Sequence, residues 1–231
     1  MRRQCGNVLF LILIAVALFA ALSYAVTYSS RTGDSSITNE KAKIYAAQIT
    51  QFGTQLENAV MRMRINNIPI YGIDFSSPNT AYPAANGTCT NDLCKMFNVN
   101  GGGVEPITFD DRMFDTTLIG AGSAGIFKKY VLRSISVLEI GSDEDDLVLL
   151  LHSIDQKICS QINRKNGIID SGNPPTEVFS GFTNYSGTLT SFPTTTGEMG
   201  GPTSPFRGKR SFCGYFNATW GYIYYHVILA R

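Results

Sequence analysis

The 231-residue sequence lacks the charge imbalance, the histidines and the metal-ligand spacings that mark several common functions. It has 19 basic and 18 acidic residues with no basic stripe, so we do not expect nucleic acid as a partner. Only His152 and His226 are present, without a nucleophile motif beside either; we interpret both as structural and predict that the chain is not an enzyme. No Cys-x-x-Cys pair occurs, which argues against zinc, and no residue pattern predicts a cofactor.

The N-terminal region, by contrast, contains one long apolar run. Arg2 and Arg3 precede it, and no charged residue interrupts it before Arg31. At 1.5 Å per residue, the roughly 20 residues of segment 7–26 would form a helix of about 30 Å, long enough to cross a bilayer core. Basic residues remain on the cytoplasmic side, so the sequence predicts a membrane segment over 7–29 and an extracytoplasmic head over 30–231.

Four of the five cysteines follow the apolar run, an even number that suits an oxidising compartment. Four cysteines allow three connectivities, and the sequence alone leaves these open. We favour a tight loop closed by Cys89–Cys94 and a bond between Cys159 and Cys213, which would join a helix to a late strand.

Apolar spacing predicts two helices in the head. The first runs from Ile37 to Asn66, and its stripe of residues spaced by three or four comprises Tyr45, Ile49, Phe52, Leu56, Val60 and Met63. The second begins at Ser142, with the acidic residues 143–146 at its positive end and Arg164 and Lys165 at its negative end. Its predicted buried stripe comprises Leu147, Leu151, Ile154, Ile158 and Ile162.

Alternating residues predict the strands. Tyr130–Ile140 alternates between two faces, and a terminal hairpin turns at Asn217-Ala-Thr-Trp220 before a strand over 221–231. Segment 170–208 is rich in Ser, Thr, Gly and Pro and is interpreted as a long surface loop. The predicted fold class is α+β: a long N-terminal hydrophobic helix that continues into a globular head with a small antiparallel sheet.

Two further patterns have ordinary explanations. Asp110, Asp111 and Asp115 offer carboxylate oxygens within one stretch, but no EF-hand spacing is present, so they are weak candidates for calcium. Residues Gly120, Gly122 and Gly125 match the dinucleotide-binding pattern. That chemistry requires a helix after the glycines, whereas the following residues alternate like a strand. A Gly-rich loop is the better interpretation.

The stretch Arg3-Gln-Cys-Gly6-Asn7, followed by Val-Leu-Phe-Leu-Ile-Leu-Ile-Ala, resembles the type III signal of the type IV pilin and pseudopilin superfamily. The resemblance implies that prepilin peptidase removes a leader, residues 1–6, by cutting after Gly6. The mature chain would then begin at Asn7. It further implies an anchor in the inner membrane and, later, packing against other pilin-like subunits through the apolar helix in a filament or secretion pseudopilus.

The fifth residue counted from Asn7 is Leu11, where major pilins carry a glutamate that neutralises a neighbouring subunit's amine. The resemblance therefore implies a minor subunit or pseudopilin, for instance at a filament tip. The alternative is a signal peptide cut after Ala25, since Ser23-Tyr-Ala25 is an acceptable cleavage site. The product would then be a secreted or membrane-anchored binding domain.

Overall fold

The computed structural model describes residues 6–31, 37–81, 86–118, 125–142, 144–176, 183–185, 198–200 and 204–231; within the first range it describes the side chains of 10–24. The chain divides into two compact units, residues 1–38 and residues 39–231. The first contains helix α1 (Gly6–Arg31), and the second, the head, begins with helix α2 (Asn39–Ile65).

The predicted fold class is wrong in its defining feature, a long N-terminal hydrophobic helix that continues into the head. The N-terminal region forms two helices, and Ile37 and Thr38 lie in neither. No helix in the described part of the chain combines the length and apolar character that crossing a membrane requires. Ser29 and Ser30 lie in the last turn of α1 and Thr38 directly precedes α2, and Ser and Thr are typical of helix ends because their side chains compete for backbone hydrogen bonds.

Helix α2 confirms the predicted amphipathic helix to within two residues at each end. Five members of the predicted stripe are buried: Ile49, Phe52, Leu56, Val60 and Met63. The ring of Phe52 packs 5.0 Å from that of Tyr130 on the sheet. Burying apolar side chains of this size contributes about 1.5–3 kcal/mol each, so packing of this stripe fixes α2 on its own domain.

The head contains a sheet of strand order β3-β1-β2-β6-β5. Its long strands are β1 (Tyr130–Val137), β2 (Asp146–Ile154), β5 (Ser211–Asn217) and β6 (Gly221–Leu229), and the strands along this order pair antiparallel. Two short strands, β3 (Thr183–Asn184) and β4 (Glu198–Met199), also pair with β1. Strand β3 is antiparallel to β1, and β4 is parallel to it. The predicted strand at 130–140 and the predicted terminal hairpin are confirmed.

The predicted second helix is wrong over its first half. Residues 146–154 form β2, and the helix α3 extends only from Gln156 to Lys165. Every residue of β2 is buried, because the strand lies inside the sheet with both faces covered. A short, continuously apolar run of this kind has no period that separates strand from helix. The true N-cap is Asp155, whose carboxylate accepts a hydrogen bond from the backbone N–H of Lys157 at 2.8 Å.

The two faces of the sheet are covered differently. Helices α2 and α3 pack on one face. The opposite face forms an apolar cluster whose members include Val131, Val148, Tyr225, Phe206 and Phe212. The rings of Phe206 and Phe212 stack with centroids 3.9 Å apart. Part of the predicted long loop 170–208 thus supplies core residues.

Single turns of 3-10 helix connect the remaining segments of the head. They lie at Ile70–Gly72, Asp92–Cys94, Asp111–Met113 and Thr116–Leu118. The glycine pattern predicted to be a loop falls largely on residues 119–124, outside the described residues.

Candidate functional site

Helix α1 carries large apolar side chains on all sides, and they are exposed. The exposed fractions range from 41% for Ile14 to 74% for Phe19, and the set comprises Phe10, Leu11, Ile12, Leu13, Ile14, Val16, Leu18, Phe19, Leu22 and Tyr24. Successive positions on a helix differ by about 100°, so such a run covers its whole circumference. A helix that is hydrophobic on every side is normally buried by other helices or by another apolar phase.

The two candidate cleavage points lie in different parts of α1. Gly6 is the first residue of the helix, and Asn7 follows it. Ala25, after which a signal peptidase would cut, lies inside the helix. Residues 1–5 of the predicted leader are outside the described residues. Leu11 belongs to the exposed apolar set.

Both favoured disulfides are present in the structure. Cys89 pairs with Cys94, and Cys159 of α3 pairs with Cys213 of β5. The second bond closes a loop of 54 residues, which in the chain-entropy model is worth about 4 kcal/mol. Disulfides form and persist in oxidising compartments, so the pairing fits a head that matures outside the cytoplasm.

The three candidate calcium ligands have separate partners. Asp110 pairs with Arg112 at 2.5 Å, and its carboxylate also accepts a hydrogen bond from Tyr45. The Arg112 side chain holds the pKa of Asp110 well below its usual range. Asp111 forms an ion pair with Lys128, and Asp115 accepts hydrogen bonds from Thr117. In the ranges that the structure describes, no group of three or more His, Cys, Asp or Glu side chains converges as a metal site would require.

His226 lies in β6 at the contact with α2 and uses both of its ring nitrogens. Nε2 lies 3.0 Å from a carboxylate oxygen of Glu57, and Nδ1 lies 3.2 Å from the hydroxyl of Tyr224. Arg210 also donates to Glu57, at 2.8 Å. The hydrogen bond from His226 is the main cause of the lowered pKa of Glu57. With both nitrogens engaged, His226 joins the helix to the sheet, as predicted for a structural histidine.

The close approach of α2 to β6 depends on Gly53. A Cβ atom at this position would lie 2.9 Å from the ring of His226 and 2.9 Å from the hydroxyl of Tyr224. Contacts this short do not occur between real side chains, so the helix could not remain at this distance with a larger residue. Local sequence patterns do not reveal Gly53, Glu57 or Arg210, because their contacts join distant parts of the chain.

His152 has a different environment. It lies in β2 and is 5% exposed, on the sheet face away from α2, with its ring 5.4 Å from that of Trp220. Neither ring nitrogen has a hydrogen-bond partner among the described residues. Burial lowers the pKa of His152 to about 3. His152 is therefore positioned by packing against Trp220, without the hydrogen bonds that position His226.

A groove between α2 and α3 brings Lys43 of α2 close to Arg164 and Lys165 at the end of α3. Its first cavity, of about 270 Å³, is lined by Lys43, Ala46, Ala47, Gln161, Arg164 and Lys165. A second cavity, of about 380 Å³, shares Lys165 and is otherwise lined by Thr50, Gln51, Thr54, Gln55, Asn166, Ser211 and His226. No acidic residue lines either cavity. The residues come from three distant segments, so no local spacing could have revealed the groove.

No protein-family model, curated protein or solved structure matches this chain.

Proposed function

We propose that this chain is a pilin-like structural subunit that assembles with other pilin-like subunits through α1. The observation that carries the proposal is the apolar surface of α1, which is exposed at every described position from 10 to 24. Each large apolar side chain removed from water contributes about 1.5–3 kcal/mol, so covering this surface supplies a strong drive for assembly. Helices of neighbouring copies provide the cover.

The head supports the proposal because it buries the apolar stripe of α2 and both faces of its sheet within its own core. The stripe of α2 packs on the sheet, and the opposite sheet face has its own aromatic cluster. The head therefore serves as the outward-facing part of the subunit, with a stable core and two disulfides suited to an extracytoplasmic setting.

In this proposal prepilin peptidase removes residues 1–6 at the inner membrane, and the mature subunit begins at Asn7. The subunit then enters a cell-surface filament or a periplasmic pseudopilus. Leu11 cannot neutralise the amine of an adjacent subunit, so the chain serves as a minor or tip subunit. A subunit at the tip has no copy above it and does not need that charge.

Two matched substitutions test the processing step in the native cell. Gly6→Leu should block the cut after residue 6 and leave an unprocessed, unassembled precursor. Ala25→Leu blocks a signal-peptidase cut after residue 25. In this variant the processed protein should still begin at Asn7, so its mass should differ from that of the processed wild type only by the substituted side chain. Normal processing of Gly6→Leu together with retention of the precursor in Ala25→Leu would overturn the proposal and favour a secreted binding domain.

A further inference from the structure

We propose that the groove between α2 and α3 binds a phosphorylated polyol, with the phosphate in the first cavity and the hydroxyl-bearing part in the second. The groove belongs entirely to the head. Its test involves neither Gly6 nor α1, so this inference stands or fails separately from the proposed filament role.

The first cavity has the charge that an oxyanion requires. Lys43 projects from α2, and Arg164 and Lys165 come from the last turn of α3. Within the described ranges, none of these three cations has a carboxylate oxygen within 4.0 Å of a side-chain nitrogen. The ion pairs of the head are formed by other cations: Lys95, Arg112, Lys128, Arg207, Arg210, His226 and Arg231. Three clustered cations without a counter-charge repel one another, and a bound phosphate would remove that repulsion.

Helix electrostatics explain only part of this cluster. Cations at the C-terminal end of α3 are favourable because they complement the negative end of the helix. Lys43 lies near the opposite, positive end of α2, where a cation gains nothing from its own helix. Asp170 lines a neighbouring cavity with Arg164, but its carboxylate accepts hydrogen bonds from Asn163 and from the backbone N–H of Gly172.

The second cavity supplies neutral hydrogen-bonding groups directly beside the cations. The side-chain amides of Gln51 and Gln55 can donate and accept, whereas the hydroxyls of Thr50 and Thr54 donate to carbonyls of α2 and keep lone pairs that can accept. Lys165 joins the two cavities, with its Nζ atom 3.3 Å from the hydroxyl of Thr50. Polyols carry many hydroxyls at fixed spacing, so a sugar phosphate and the headgroup of a polyol phospholipid share the chemistry that this groove fits.

The experiment measures binding to the purified full chain with two probes. Glucose 6-phosphate is titrated by calorimetry with glucose as the uncharged control, and vesicles of phosphatidylcholine with or without phosphatidylglycerol are tested by co-sedimentation. The triple variant Lys43→Gln, Arg164→Gln, Lys165→Gln removes the cations. The matched variant Arg64→Gln, Lys129→Gln, Lys209→Gln removes the same charge outside the groove.

We expect glucose 6-phosphate to bind the wild type and the matched variant, with binding at least tenfold weaker in the triple variant. A soluble ligand is indicated if phosphatidylglycerol adds nothing to sedimentation. A lipid headgroup is indicated if phosphatidylglycerol increases sedimentation in the wild type but not in the triple variant. The proposal is overturned if neither probe binds, or if the triple and matched variants lose binding equally. Circular dichroism and thermal unfolding verify that both variants are folded.

Discussion

Helices α1 and α2 have nearly equal lengths, 26 and 27 residues, but opposite relations to their own chain. In α2 the large apolar residues concentrate on one stripe, which is buried by the sheet of the same domain. In α1 they occupy all sides, and the side chains described are exposed. The comparison indicates that α2 stabilises the head, whereas the described apolar side chains of α1 are exposed and are the surface that the proposed assembly would bury.

The largest expected effect comes from truncating the α2 stripe. Phe52 is buried and its ring contacts those of Phe109 and Tyr130, so Phe52→Ala should lower the unfolding free energy by about 3–5 kcal/mol. Urea unfolding, followed by Trp220 fluorescence, measures the loss. Ile44→Ala in the same helix is the control, because Ile44 is 65% exposed and should cost less than about 0.5 kcal/mol. Equal losses would contradict the assignment of the buried stripe.

The two disulfides should differ in their effect on the head. Replacing Cys159 and Cys213 by alanine reopens a loop of 54 residues and should cost about 4 kcal/mol. Replacing Cys89 and Cys94 reopens a loop of five residues and should cost about 2 kcal/mol. Chemical denaturation of both double variants tests this order, and a reversed order would show that loop length does not control their contribution.

The head also contains two buried groups whose titrations oppose each other. Burial raises the pKa of Asp146 from 3.8 to about 7, so the folded state holds an extra proton between these values and stability falls as pH rises. Burial lowers the pKa of His152 from 6.5 to about 3, so the folded state lacks a proton there and stability increases with pH. For each group, the unfolding free energy changes by at most about 1.4 kcal/mol per pH unit.

Substitutions separate the two slopes. The measured quantity is the unfolding free energy of each variant minus that of the wild type, followed from pH 5 to 6.5. This difference should increase with pH for Asp146→Asn and decrease with pH for His152→Phe. Asp146→Asn also loses one of the hydrogen bonds accepted from the N–H groups of Val137 and Arg231, which lowers its stability at every pH. The lowered pKa of Glu57 affects stability only below about pH 4.5, where protonation weakens its contacts. Parallel pH profiles for both variants would contradict this assignment.

The smallest expected change in head stability comes from α1. Leu18 is an exposed member of the apolar set, so Leu18→Ser should change the unfolding free energy of the head by less than about 0.5 kcal/mol. The same substitution should reduce self-association, which analytical ultracentrifugation at matched detergent concentration detects. Loss of head stability without any change in association would reverse the roles given to α1 and α2.

The elements that could be predicted from the sequence are those whose apolar residues recur at a regular spacing. Helix α2 and the terminal hairpin of β5 and β6 were predicted closely because alternation or a helical period is visible in their residues. Strand β2 was mistaken for helix because both of its faces are buried. The acidic residues at its start also misled, because Asp145 and Asp146 are buried there instead of capping a helix.

The candidate sites divide in a similar way. The two disulfides were predictable in part, because four cysteines allow only three connectivities and the favoured one is the one observed. The cluster of Glu57, Arg210 and His226 joins α2 to β6 and to the residue just before β5, and the cationic groove joins α2 to the end of α3. Both depend on tertiary contacts between segments more than 100 residues apart in sequence, so the local patterns contained no signal for them.

The N-terminal sequence and the intact mass of the mature protein, isolated from its native cell, show whether it is processed as a pilin-like subunit. We expect a chain that begins at Asn7. A chain that begins at Val26 would identify a secreted domain without most of the apolar surface of α1, and an intact Met1 would show that prepilin peptidase does not process this protein. Either result would overturn the proposed function.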